Sequence, residues 1–453
     1  MDHVARATEG SPVVGQSWPA PRQAWWAVFV FSLVLTVQYL DRGLIGLLVE
    51  PIKRDLHLAD TQLSAIMGFA FVIFYLLLGL PISRWIDTGS RRLILGLSVV
   101  AWAVSTMLCV VAHSFWQLAL CRVGVGAGDA AVSPAISSMI SDLFPRERLP
   151  KAMSLMGFAF VFGSAFSLLF GGGLVHALSG IPAVHLPILG LFYPWQLTFL
   201  IVGAPGLFIA LMFFTTKEPA RRGLVEGQDP GQPLPAAEIF GFLRANWAVY
   251  SVLFGGLAFR SVLGVGISSW TPAFFHRTYG WGSGQYGLTA GILALVVSPI
   301  GLLVGYRITE WLHRRGHDDA NLRLTAVCAW VNLPAFIAMP LMPSPWLALA
   351  LVGWTNLVAT STIGSENAAM LAVTPNRMRG QISALYLFIY NCIGYGLGPV
   401  IIALLTDVVF HDEAKLRYAL LLAAMVLGPI GAVILTVGLK PYGRAFVRSN
   451  AWQ

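Results

Sequence analysis

The stretch "TVQYLDRGLIGLLVE", Thr36 to Glu50, sets Asp41 and Arg42 side by side inside a run that is otherwise hydrocarbon. A second stretch, "RVGVGAGD", places Arg122 seven residues before Asp129 in another apolar run, and Arg260 and Glu366 are buried-charge candidates further on. An unpaired charge in the bilayer interior costs roughly 2.5 to 3.5 kcal/mol on insertion scales, so these residues need partners and mark function by default. Carboxyl and guanidinium groups in such a setting can do two things: a carboxyl can take up a proton and release its partner, and a guanidinium can hold an anion. Enzymatic sites are not in view, because no nucleophile with a base, no phosphate loop and no metal-ligand spacing occurs. Cys109, Cys121, Cys328 and Cys392 fall in apolar segments and serve packing. No cofactor beyond the proton is expected.

Only a membrane scaffold positions such charges. The 453 residues are 57% hydrophobic and 11% charged, which excludes a water-soluble globular domain. Apolar runs of about 20 residues predict an all-α polytopic protein of twelve transmembrane helices, from Trp25 to Val49 through Tyr418 to Leu439, with helix two over Leu63 to Ile86 and helix four over Phe115 to Ile140. The predicted layout is a tail over 1–24, a six-helix bundle over 25–216, a linker over 217–246, a second six-helix bundle over 247–440 and a tail over 441–453. The segment "SGIPAVHLPILGLFYP" is too short and Pro-broken to cross, and is expected along the outer rim.

The net charge of +8 sorts by side. One set of loops holds only Lys53, Arg54, Arg277, Lys415 and Arg417, whereas the other holds nearly all remaining Lys and Arg. The positive-inside bias then puts both tails in the cytoplasm and explains the basic balance without a nucleic-acid partner. A bacterial inner membrane suits the short tails, and the chain is expected to act as a monomer.

The two halves carry an echo. "SRWIDTGSRR" has Asp87 four residues before Arg91 and Arg92, and "YRITEWLHRR" has Glu310 four before Arg314 and Arg315. An acid followed by paired bases in the second-to-third-helix loop resembles the signature of the major facilitator superfamily, with Ser83 and Ser90 where that signature has Gly. The resemblance implies that the loop brackets the neighbouring helix and helps latch the halves. "YLDRGLIGLLVEPIKRDL", "RVGVGAGDAAVSPAISSMISDLFPRER" and "RGQISALYLFIYNCIGYGLGP" are similar to helices one, four and eleven of spinster-type transporters, with Asp129 where Glu is the usual acid.

In that architecture helices one, four, seven and ten line the cavity, which implies that Asp41 meets Arg122 and leaves Arg42 for a substrate anion or for Asp129. Asp41 and Asp129 are then the proton-coupling candidates; Arg42, Arg122, Arg260 and Glu366 are charge-pair and headgroup candidates. Tyr39, Phe69, Trp270 and Tyr390 are candidate cavity walls, although bundle packing or an interfacial belt explains most of the aromatics better. Two plainer readings stay open: Asp41 and Arg42 snorkelling to the outer interface, and Asp129 as a structural hydrogen bond within a glycine packing face. By resemblance the cargo is a lysolipid or sphingolipid-like amphiphile. A small organic anion, a sugar phosphate or a hydrophobic drug fits the same arginines, and a receptor that does not transport is the reading from another class.

Overall fold

A computed structural model describes residues 18–145, 147–186, 190–221, 236–375 and 378–449. Twelve helical spans are long and apolar enough to cross a bilayer. The first half holds Pro21–Leu47 (span one), Asp60–Gly79 (two, its helix running on to Thr88), Arg91–Val111 (three), Phe115–Leu143 (four), Lys151–Leu178 (five) and Pro194–Thr215 (six). The second half holds Trp247–Tyr279 (seven), Ser283–Arg314 (eight), Ala320–Leu341 (nine), Pro345–Ala372 (ten), Arg379–Val409 (eleven) and Glu413–Ser449 (twelve). An even number of crossings returns both ends of the chain to one face, called here the termini face; the opposite one is the far face.

Three spans are interrupted where the sequence reads as one continuous run. Span two breaks at Gly68, whose added Cβ would lie 2.4 Å from the Tyr395 carbonyl oxygen of span eleven. No side chain fits between these two backbones. Span four breaks after Asp129, its two helices being Phe115–Asp129 and Val132–Leu143. Span eleven widens into a π-helix over Asn391–Leu397, overlapping the "GYGLGP" run of Gly394 to Pro399 whose glycines allow close packing and bending.

The carboxyl-terminal tail carries a helix: Leu439–Ser449 presents Tyr442 inward, and its hydroxyl donates to the Ala369 carbonyl at 3.0 Å. The linker likewise carries a helix, Ala236–Ala245. The Pro-broken segment between spans five and six forms a short antiparallel hairpin, Val184–Leu186 against Gly190–Phe192.

The halves meet along the far-face ends of spans five and eight. Small residues make this possible: an added Cβ at Gly172 would lie 2.6 Å from the Gly287 Cα, and one at Gly291 would lie 2.4 Å from the Leu169 nitrogen. On the termini face, Val132–Leu143 and Arg379–Tyr390 pack chiefly within their own halves. The result is a cleft closed at the far face and parted at the termini face. Gly287→Leu is therefore expected to wedge the far-face seam open, seen as faster alkylation of a cysteine introduced by Ser283→Cys than in the Ser283→Cys parent.

Candidate functional site

Glycines bring spans three and four together and so build the first buried ion pair. An added Cβ at Gly128 would lie 2.6 Å from the Trp102 nitrogen, and one at Gly124 would lie 2.4 Å from the Ser105 hydroxyl. That approach turns Trp102 and Thr106, one helical turn apart, toward span one. Asp41 is fully buried and receives Arg122 Nη1 at 3.2 and 3.3 Å, Trp102 Nε1 at 3.3 Å and Thr106 Oγ1 at 3.3 Å. Donors on both carboxylate oxygens are what a buried ion pair needs to offset its desolvation.

Arg42 points elsewhere, since adjacent helical residues diverge by about 100°. Its guanidinium meets Asp129 Oδ2 at 3.0 Å and lies over the Tyr39 ring, 5.5 Å from its centroid. The Arg42 side chain keeps 14% of its surface exposed whereas Asp129 keeps 1%. Asp129 Oδ1 and the nearby Gln38 Nε2 have no hydrogen-bond partner among the described residues. Tyr75 of span two and Tyr395 of span eleven lie within electrostatic reach of Arg42.

The second half has a related pair. Arg260 of span seven is bonded to Glu366 of span ten, and Thr362 bridges the two, accepting from Arg260 at 2.9 Å and donating to Glu366 at 2.6 Å. Arg260 is 21% exposed. Tyr386 and Tyr390, with ring centroids 5.8 Å apart, flank it. Each half thus carries a partly exposed arginine on its first span held by a buried acid on its fourth.

Other residues singled out in the sequence fall outside this cluster. Trp270 is no cavity wall: it is fully buried, donates to the Pro399 carbonyl at 2.9 Å and packs beneath Arg277, because the far-face closure of spans seven and eleven encloses it. Phe69 is exposed just past the Gly68 break. Arg91 is buried against Asp142 and Ser138 of span four, and its guanidinium also reaches the Pro219 carbonyl at 2.8 Å. Arg92 donates to the Thr216 carbonyl at 3.0 Å. The side chain of Asp87 lies outside the described residues. The echo in the second half is more open: Glu310 pairs with Arg314 along one helix face, and Arg315 stacks on Trp311 at 4.1 Å.

Sequence reasoning missed Trp102 and Thr106, whose signal was a polar handle at i and i+4 on an apolar span. It also missed the far-face lock. There Arg277 of the second half meets Glu50 at 2.7 Å and Asp60 at 2.6 and 2.9 Å, while Lys53 bridges Asp60 to Glu413. Asp407 caps the Thr61 amide at 2.8 Å. The signal was the dense acid–base run from Glu50 to Asp60.

Two six-span halves, joined at one face around paired interior charges, have the two-repeat layout of a secondary membrane transporter. The Major Facilitator Superfamily model matches residues 31–399, and the chain belongs to that family. It is 29% identical over 434 residues to an MFS-type efflux pump of Mycolicibacterium smegmatis, covering 94% of this chain and 95% of that one. It is 23% identical over 401 residues to a probable L-galactonate transporter of Escherichia coli, covering 84% and 83%. Among solved structures, a bacterial homologue of the human lysosomal transporter Spinster, inward-facing and unoccupied, superimposes with a TM-score of 0.76 at 25% identity, covering 95% of this chain and 99% of that one. The protein is a multi-pass transporter of the spinster-like kind, not an enzyme.

Asp41 and Arg122 should behave as one unit. Arg122→Met alone is expected to destabilise the protein by about 3 kcal/mol by stranding a buried carboxylate. Adding Asp41→Asn should restore most of the loss, as read by thermal unfolding in detergent.

Proposed function

We propose that the chain is a proton-coupled secondary transporter of an amphiphile with an anionic or zwitterionic headgroup, a lysophospholipid or sphingolipid-like molecule, working in a bacterial inner membrane with both termini cytoplasmic. The observation that carries the reading is the Arg42–Asp129 pair at the edge of the cleft, in which Arg42 takes one carboxylate oxygen and the other has only Gln38 beside it, with no hydrogen bond of normal length among the described residues. Protonation at that oxygen removes the charge that holds Arg42. The arginine is then free to bind an anion or to reorganise as the halves rock.

The two interior acids divide the work. Asp41 is enclosed by donors and shut from the cleft, which favours a permanent ion pair that fixes span one against spans three and four. Asp129 sits at the helix break and touches the partly exposed Arg42, which favours it as the proton carrier. Arg42 and Arg260 supply two positive points, and Tyr39, Tyr75, Tyr386, Tyr390 and Tyr395 add aromatic surface around them. Aromatic rings beside a small number of charges suit an amphiphile, whose headgroup needs the charges and whose tail can lie against the rings.

The galactonate-transporter relative favours a second reading, a small organic anion held by the same two arginines. The positive-inside distribution supports cytoplasmic termini, so the cleft described here opens inward.

In proteoliposomes with an imposed pH gradient, Asp129→Asn should lose concentrative uptake of labelled lysophosphatidylglycerol while keeping counterflow. Uptake that remains gradient-driven in this variant overturns the assignment of the carrier. Labelled galactonate exchanged in place of the lysolipid decides for the second reading. Arg42→Ala should weaken binding of the anionic lysolipid more than that of an uncharged monoacylglycerol, measured by thermal shift at a fixed pH.

A further inference from the structure

On the termini face, away from the central cleft, the start of span one and the end of span six enclose a half-open cavity of about 660 Å³. Its polar end is formed by Arg22 and Lys217, and its walls by Trp25, Trp26 and Phe29. The walls are held in place. Trp26 Nε1 donates to Thr215 Oγ1 at 2.9 Å, Trp26 stacks on Phe29 at 5.6 Å, and Trp25 packs against Phe144 at 4.9 Å.

The charge of this cavity is uncompensated among the described residues. Neither Arg22 nor Lys217 has an ion pair there. The one acid beside Lys217, Glu218, is committed elsewhere: it accepts from the Ser90 hydroxyl and from the Arg91 amide at 2.8 Å. Below the cavity the surface is apolar and exposed, with Phe208, Leu211 and Phe214 of span six and Phe29 of span one. Such a surface at this depth faces acyl chains.

We propose that this groove between spans one and six is a binding site for an anionic phospholipid of the surrounding leaflet, its phosphate held by Arg22 and Lys217 and its acyl chains lying over Phe29 and span six. Charge complementarity selects an anion, and the aromatic floor running into the bilayer face selects a lipid over a free phosphate ester. The site is independent of what is transported, since Arg42 and Arg260 take no part in it.

The test is native mass spectrometry of the delipidated full chain in detergent, titrated separately with dioleoyl phosphatidylglycerol, dioleoyl phosphatidylcholine and acyl-free glycerol 3-phosphate. Phosphatidylglycerol should be retained over phosphatidylcholine, and glycerol 3-phosphate should neither bind nor compete at equal concentration. Arg22→Gln and Lys217→Gln should each weaken phosphatidylglycerol binding about five-fold. Arg22→Lys should keep most of it. Equal retention of the two lipids, full competition by glycerol 3-phosphate, or wild-type binding in the Arg22→Gln, Lys217→Gln double variant overturns the proposal.

Discussion

A charge placed in hydrocarbon must find its counter-charge inside the protein, and this requirement fixes the rotation of span one. Asp41 and Arg42 are adjacent, so their side chains leave the helix about 100° apart. Only one orientation lets Asp41 face spans three and four while Arg42 faces the cleft. Four hydrogen bonds from Arg122, Trp102 and Thr106 hold that orientation from one side, and Asp129 holds it from the other. The glycines of span four matter for the same reason: without the close approach at Gly124 and Gly128, Trp102 and Thr106 would stand too far off to serve the carboxylate.

The second half repeats the chemistry but not the enclosure. Arg260–Glu366 joins spans seven and ten as Arg42–Asp129 joins spans one and four, a base on the first helix and an acid on the fourth. There is no second-half counterpart to the Asp41–Arg122 pair among the described residues. Glu366 instead shares its arginine with the Thr362 hydroxyl. The two halves thus share a base–acid pair between their first and fourth spans, and among the described residues the first half alone adds a sealed ion pair beside it.

Much of this was legible in the sequence, and the parts that were not share a cause. Span number follows from apolar run length, and the interior charges stand out by the rarity of charge within those runs. Hydropathy has no memory of backbone continuity, so the breaks at Gly68 and after Asp129 do not show in it. Neither does partner choice: Trp102 and Thr106 are unremarkable until a glycine face brings span three close. Trp270 illustrates the converse error, an aromatic on a cavity-lining span whose own turn of helix lies above the cavity, inside the far-face seal. The terminal helix Leu439–Ser449 escaped because a short amphipathic segment falls below the length that a spanning criterion detects.

The far-face lock shows how the closed state can be reversible. Arg277 bridges Glu50 and Asp60 across the halves, and breaking that bridge would strand a buried Asp60 were it the acid's sole partner. Lys53, from the same half as Asp60, remains bonded to it when the halves part. Arg277 and Glu50 lie at the rim, where water entering the opening seam can hydrate both. The seam also holds apolar side chains of both halves, Leu44 and Leu47 of span one and Val175 of span five in one buried cluster with Trp270, Phe274 and Tyr286 of spans seven and eight. Opening therefore has to break the ion pairs that cross the seam, Arg277 with Glu50 and Asp60 and Lys53 with Glu413, and to part this apolar packing, while the deep acid has a cation in its own half.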